Sequence, residues 1–384
     1  DSAGPLDPPA GPVAPTYKTL TQVEPRTAVN ATNTPGDADS LFKIINPGSY
    51  YLTGNITGVV GKHGVEIAAS GVTLDLNGFD LVGVAAMGAF DGVSVTAAGL
   101  TNIAVIDGSV RNWGDEGVDL WSISAANCRV EGLLVSGNAG NGISAGPGST
   151  VTNCAANTNG SAANTYGIFG GIACTIANCT AYLNTGRGIF TSNGGTISHC
   201  SAYQNSDIGI LTSAGSTVLN CSSYQNGGDG FSINSSSTAT NCTATSSAGD
   251  GISGAAGCTI VDCSSRQNTL DGINFTSDCM IRGNACSGNG FGAGDGAGIH
   301  VTIGNNRIEE NHCTGADRGI DVDAAGNIII KNTCADNTTD WAFVANNIFG
   351  PIVDRRVPGT GIISGFGPFA SSLASTDPNA NFSY

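Results

Sequence analysis

Asp229, Asp250 and Asp271 recur at 21-residue intervals, each followed by glycine and then by an apolar residue. Carboxylates held about 5 Å apart on neighbouring repeats repel by roughly 0.8 kcal/mol per pair in water, and by more where they are partly buried. A hard cation removes that repulsion, because Ca²⁺ takes carboxylate and carbonyl oxygens. The three aspartates are therefore a candidate calcium site, with Asp295, Asn274, Asp321 and Asp323 as possible neighbours. The plainer reading of the same residues is that Asp before Gly is turn chemistry on a solvated edge. The spacing alone leaves both open.

Other chemistry-bearing residues are sparse. Removing a proton α to a carboxylate needs a base, supplied by His, Lys, Arg or Tyr. His300 and Arg318 are the candidates, close in repeat register to Asp321. Arg187 shares the column of the aspartates, and Arg282 lies on a neighbouring repeat. His199 and His312 precede inward positions where Asn is common and read as turn residues. Glycoside hydrolysis requires two placed carboxylates, and no spacing singles out a pair. With neither a CxxC pair nor a local Cys/His cluster, a zinc site is disfavoured. Structure alone accounts for most of these polar residues as surface groups on adjacent repeats.

What positions them is a repeat. Cys154, Cys179, Cys200, Cys221, Cys242 and Cys263 are spaced by 25, 21, 21, 21 and 21 residues. Each is followed by a small residue, an Asn or Ser five positions on, a Gly-Ile or Gly-Phe pair and a Gly/Ser-rich bend. A period near 21 means a solenoid. Apolar residues alternate with polar ones for only three to five positions between turn signals, a strand rhythm. Three short strands and three bends per unit make one turn of a parallel β-helix. The Gly-Ile column runs through Val65, Val93, Val118, Ile143, Ile168, Ile189, Ile210, Phe231, Ile252, Ile273, Ile299, Ile320 and Phe343. These anchors imply about twelve coils and, at about 4.8 Å per strand, a stack roughly 58 Å long. The Asn column (Asn138, Asn159, Asn184, Asn205, Asn226, Asn268, Asn289 and Asn337, with Ser247 replacing one member) reads as an internal bonding ladder. Extra residues at 160–166 and 290–297 are expected to loop out on one face.

The domain reading is a Pro-rich arm at 1–45, a β-helix at 46–345 and a second arm or cap at 346–384. Five prolines within the first fifteen residues favour an extended arm. The 13 cysteines fall into three columns, in which side chains point the same way and pair poorly as disulfides. They read as small buried hydrophobes, with Cys258–Cys279 the pair to inspect for a bridge. A net charge of −16 with only 11% charged residues argues against nucleic acid and anionic membranes as partners. It also weighs against unaided binding of a polyanion. No apolar run is long enough for a membrane span. A start at Asp1 without Met, and abundant Ser, Thr, Asn and Gly, fit a processed, secreted protein.

The coil pattern, together with PGSYYLTGNI at 47–56 and GVTLDLNGFDL at 71–81, resembles the right-handed parallel β-helix superfamily. That superfamily includes pectate-lyase-like enzymes, polysaccharide epimerases, phage tailspikes and bacterial surface proteins. The resemblance implies an all-β, single-stranded, right-handed parallel β-helix from a bacterium, and it is specific for fold rather than activity. Neither the dense Asp motifs of the polygalacturonase-like branch nor the Asp-Pro-His-Asp motif of the alginate-epimerase branch occurs. The first functional expectation is a non-catalytic extracellular or cell-surface structural or adhesive protein. It would assemble head to tail with copies of itself through its arms, since β-helix ends offer unpaired strand edges. The alternative is a carbohydrate-active protein, lyase-like or glycan-binding, acting on an acidic polysaccharide with Ca²⁺ and with His300 and Arg318 at its site.

Overall fold

Three left-handed corners per coil shape the chain. In the coil containing the strands Arg187–Thr191, Thr196–Ser198 and Ser201–Tyr203, the corners are Gly194, His199 and Gln204, with φ of 68°, 54° and 53°. One αL residue turns the chain sharply enough that no long loop is needed. Gly and Asn tolerate that conformation best, and Asn153, Asn178, Asn220 and Asn241 occupy the same corner as His199 on other coils. The computed structural model describes residues 24–121, 125–290, 296–354 and 376–384. All 42 regular elements among them are strands, which makes the fold all-β.

One strand from each coil joins a 14-stranded parallel sheet, from Ser40–Ile44 to Thr339–Phe343. The other strands build a 28-stranded sheet that bends around the corner between two flat faces. Two eight-residue strands, Ala104–Arg111 and Arg129–Ser136, run through that corner and join the faces. Ile189, Ile210, Phe231, Ile252, Ile273, Ile299 and Ile320 pair in unbroken register, and all seven are fully buried.

The anchor column needs two corrections. It gains a coil at its start, where Phe42 pairs with Val65. At its end Ile320 pairs with Trp341, whereas Phe343 pairs with Val322. Ala342-Phe343 imitates the Gly-Ile pair, but here Asp340 fills the glycine position. The segments expected as arms also carry coil strands. Thr27–Ala28 pairs with Tyr50 and Tyr51, and Asn381–Ser383 joins both Thr333–Ala335 and Ile352–Asp354. The Trp341 indole N–H donates to Ser383 Oγ at 2.7 Å. Residues 1–23 of the filament-forming arm expected at 1–45, and residues 355–375 of the arm or cap expected at 346–384, lie outside the described residues.

Inside, all 13 cysteines are buried and free, Cys258 and Cys279 included. Their ladder has a polar function as well as a packing one. The backbone N–H of Cys179 points to Cys200 Sγ at 3.5 Å, and the Cys200 thiol faces the Ile176 carbonyl at 3.6 Å. After Cys263 the same column continues as Asn284, Asn311, Asn332 and Asn381, each taking the preceding rung's N–H at 2.9–3.0 Å. Cys and Asn thus serve as interchangeable rungs, small enough for the corner and able to accept from one coil while donating to another.

Candidate functional site

Alternation along the first-sheet strands sends every second side chain outward. The residue after each anchor forms one outward column. From the middle of the molecule it reads Phe169, Phe190, Leu211, Ser232, Ser253, Asn274, His300 and Asp321. The residue two before each anchor forms a second column beside it, which contains Asp229, Asp250 and Asp271.

The three aspartates do fall on consecutive coils, and each spends one oxygen on the backbone of the next. Asp229 Oδ1 accepts from Asp250 N–H at 2.9 Å, Asp250 Oδ1 from Asp271 N–H at 2.8 Å, and Asp271 Oδ1 from Ala297 N–H at 2.7 Å. Other members of this column do the same, since Asp91 accepts from Glu116 N–H and Asn141 from Tyr166 N–H. The Asp-Gly pattern is therefore a cap across coils, a variant of the plain turn reading.

The second oxygens face the outward column. Ser253 donates to Asp229 Oδ2 at 2.5 Å, and the Asn274 amide reaches both Asp250 and Asp271 Oδ2 at 3.1 Å. An open groove of about 370 Å³ lies alongside, lined by Leu211, Ser232, Asn234, Asp250, Ser253 and Asn274, among others. Burial, with the charges of Asp271 and Asp229, pushes the Asp250 carboxyl up to about 7.

His300 and Arg318 do come together with Asp321. Arg318 pairs with Asp321. His300 holds Asp271 at 2.9 Å through Nδ1 and Asp323 at 3.0 Å through Nε2. The Asp271 carboxylate, assisted by Asp323, raises the imidazole to about 9. At neutral pH His300 is thus an imidazolium with both N–H groups committed, which leaves no lone pair to take a proton. His300, Asp321 and Asp323 do present atoms within 4.8 Å of one another, as do Asp91, Glu116 and Asp119. Asp229, Asp250 and Asp271 do not form such a set among the described residues.

The remaining candidates are dispersed. Arg187 lies toward the other end of the column, against Asp207 and the Tyr166 hydroxyl. Arg282 is exposed on the 28-stranded sheet. His199 is a corner, as expected, whereas His312 is a strand residue bonded to Thr333. Asp295 lies outside the described residues.

Two features escaped the reading of the chain. One is an apolar row continuing the outward column, where Phe169 lies 5.0 Å from Trp121, 5.5 Å from Tyr166 and 5.2 Å from Phe190 between ring centroids. Its signal was available as the large residue after three successive anchors. The other is the Asp91–Glu116–Asp119 set, in which burial and the neighbouring carboxylates lift Glu116 to about 8.

A family model described as the right-handed beta helix region matches residues 116–260. Two solved structures share the fold. The A-module of the mannuronan C-5 epimerase AlgE6 from Azotobacter vinelandii aligns with a TM-score of 0.51 at 13% identity, covering 88% of this chain and 91% of that one. The receptor binding domain of the siphovirus 9NA tailspike aligns with a TM-score of 0.50 at 10% identity, covering 85% and 77%. No curated protein sequence matches this one. Among the described residues no helix is long and apolar enough to cross a membrane.

Proposed function

We propose that this chain, a member of the right-handed parallel β-helix superfamily, is a carbohydrate-binding protein whose glycan lies in the groove on the outer face of the fourteen-stranded sheet. One observation carries the reading. Ser232, Ser253 and Asn274 stand in register on successive coils of an open groove, directly continuing a row of partly exposed aromatic and aliphatic side chains. A sugar ring presents hydroxyl edges and C–H faces, and sites combining a few placed polar groups with apolar wall suit such a ligand. The strand spacing of about 4.8 Å is close to the rise of one sugar unit, so a chain along the solenoid axis meets an equivalent position at each coil.

The two solved structures support the reading, one being named for an enzyme acting on mannuronan and the other for receptor binding. Binding is favoured over lyase chemistry because His300 and Arg318 are committed to ion pairs. The test is affinity electrophoresis against a broad panel of neutral, amino and acidic polysaccharides, followed by titration with Asn274→Ala. Loss of Asn274 removes one placed amide and loosens Asp250, so binding should weaken about tenfold or more, the usual worth of a charge-linked hydrogen bond. A panel without a single retarded glycan, or an Asn274→Ala protein that binds as well as the wild type, would sink the proposal.

A further inference from the structure

The charge of the groove decides which glycans it accepts. Among the described residues that line it, Asp250 is the only ionisable one. Its bonded partners are the Asp271 N–H and the Asn274 amide, both neutral donors. A carboxylate offers about four lone-pair positions, so Asp250 retains acceptor capacity toward the groove. The neighbouring charges do not balance it, since Asp229 and Asp271 flank it and the His300 imidazolium bonds Asp271 rather than Asp250. With Asp250 ionised, three carboxylates face one cation, and burial together with that repulsion holds the Asp250 carboxyl up to about 7.

The other basic groups described on this face are engaged elsewhere, His63 with Asp91 among them. Arg187 pairs with Asp207, Arg318 with Asp321, and Lys43 with Asp37 and Glu66. A uronate would bring a further negative charge to a row of carboxylates, a like-charge arrangement that excludes partners. A protonated amine would do the opposite. It would supply the missing cation, donate to the open Asp250 positions and relieve the mutual repulsion of the row.

We infer that the groove selects a glycan bearing free amino groups, a polyhexosamine whose ammonium lies against the Asp250 carboxylate. This rests on the glycan-binding reading and narrows it, and it replaces the acidic polysaccharide expected from the family resemblance. Ser232, Ser253 and Asn274 then serve the sugar hydroxyls, and the Phe190–Leu211 stretch packs against C–H groups of the next unit.

The test is calorimetric titration of the full chain near pH 6.5 with three probes of matched length, a chitosan oligosaccharide, its fully N-acetylated counterpart and an oligogalacturonate. The amine form should bind about tenfold or more tighter than the acetylated form, since a desolvated charge pair is commonly worth at least that. The oligogalacturonate should bind weakest. In Asp250→Asn the preference for the amine over the acetylated form should collapse, whatever the change in affinity common to both forms, with circular dichroism confirming the fold. The wild-type ranking needs no variant and decides the matter even if Asp250→Asn folds poorly. Equal affinity for amine and acetylated forms, or preference for the uronate, overturns the inference and leaves glycan binding standing. Silence from all three probes also overturns it, and the glycan-binding reading falls as well only if the broad polysaccharide panel is silent too.

Discussion

Asn205 shows what a single rung does. Its side-chain oxygen receives the backbone and amide N–H groups of Asn184 at 3.2 and 2.9 Å, while its own amide donates to the Ala181 carbonyl at 3.1 Å and to Asn226 at 3.0 Å. Replacing it with Ala strands several buried polar groups at once, so we expect Asn205→Ala to cost about 2–4 kcal/mol in urea denaturation. Ser247 is the converse case. Its hydroxyl is buried without a hydrogen bond, and its short side chain interrupts the amide ladder between Asn226 and Asn268. Ser247→Asn should restore the rung and add about 0.5–2 kcal/mol of stability, in the range of other repairs of this kind. A neutral or destabilising result would mean that the corner has no room for the amide. At this scale the chain was legible where residue type repeats. The Asn column and the acidic column are read directly, but the Cys pattern ends at Cys263, where the rungs of the ladder change from Cys to Asn. The pairing of His300 with Asp271 and Asp323 could not be read either, since it depends on side chains 29 and 23 residues apart meeting across coils.

In every coil between the first and the last, glycine precedes the anchor, because the coils stack closely there. A Cβ added to Gly188 would meet the Gly209 carbonyl oxygen at 2.5 Å and Asn205 Nδ2 at 2.7 Å. At Gly215 the demand is different, with φ of +67° and open space around the added atom. Gly188→Ala should therefore destabilise by about 1–3 kcal/mol or more, as overpacking does, and by more than Gly215→Ala, where αL strain costs about 1–2 kcal/mol. Thermal melts of the two variants give the order, and a larger loss at Gly215 would show that backbone strain outweighs coil contact. The same stacking explains which elements were legible. Gly-Ile pairs mark the first-sheet strands through twelve coils, but in the last coil Asp340 replaces the glycine and Ala342-Phe343 mimics the pair, although Trp341 holds the register. The outward row at Phe169, Phe190 and Leu211 was hidden for a related reason. An apolar residue beside an apolar anchor breaks the period of two, so alternation assigns it no face.

Across the whole molecule, the acidic face couples folding to protons. Burial and like charges hold the carboxyls of Asp250 and Glu116 up near 7 and 8, and the Asp271 carboxylate holds His300 up near 9. Each group binds its proton more tightly folded than unfolded. Folding stability therefore falls as pH rises wherever the native state carries the extra proton. For Asp250 and Glu116 the loss sets in above their unfolded values near pH 4 and runs to about 7 and 8. For His300 the contribution is complete below about 6.5 and is lost as pH climbs through 9. Below pH 4 the sign reverses, because Arg26 holds Glu24 down at about 2 and Lys43 holds Asp37 low, so protonating these carboxylates costs stability. The general self-repulsion of a chain at −16 acts in the same direction as the buried groups at high pH. We therefore expect a stability maximum near pH 4–5 and a decline on the order of a few kcal/mol toward pH 9. Melting temperatures across pH 3–9 would show it, with Asp250→Asn flattening the segment between pH 4 and 7. A profile that is flat or rises from pH 4.5 to 9 would mean that the carboxylate row is already neutralised by a bound cation. That outcome would bring back the calcium first read from the spacing of Asp229, Asp250 and Asp271, and a chelator titration monitored by the same melts would identify it.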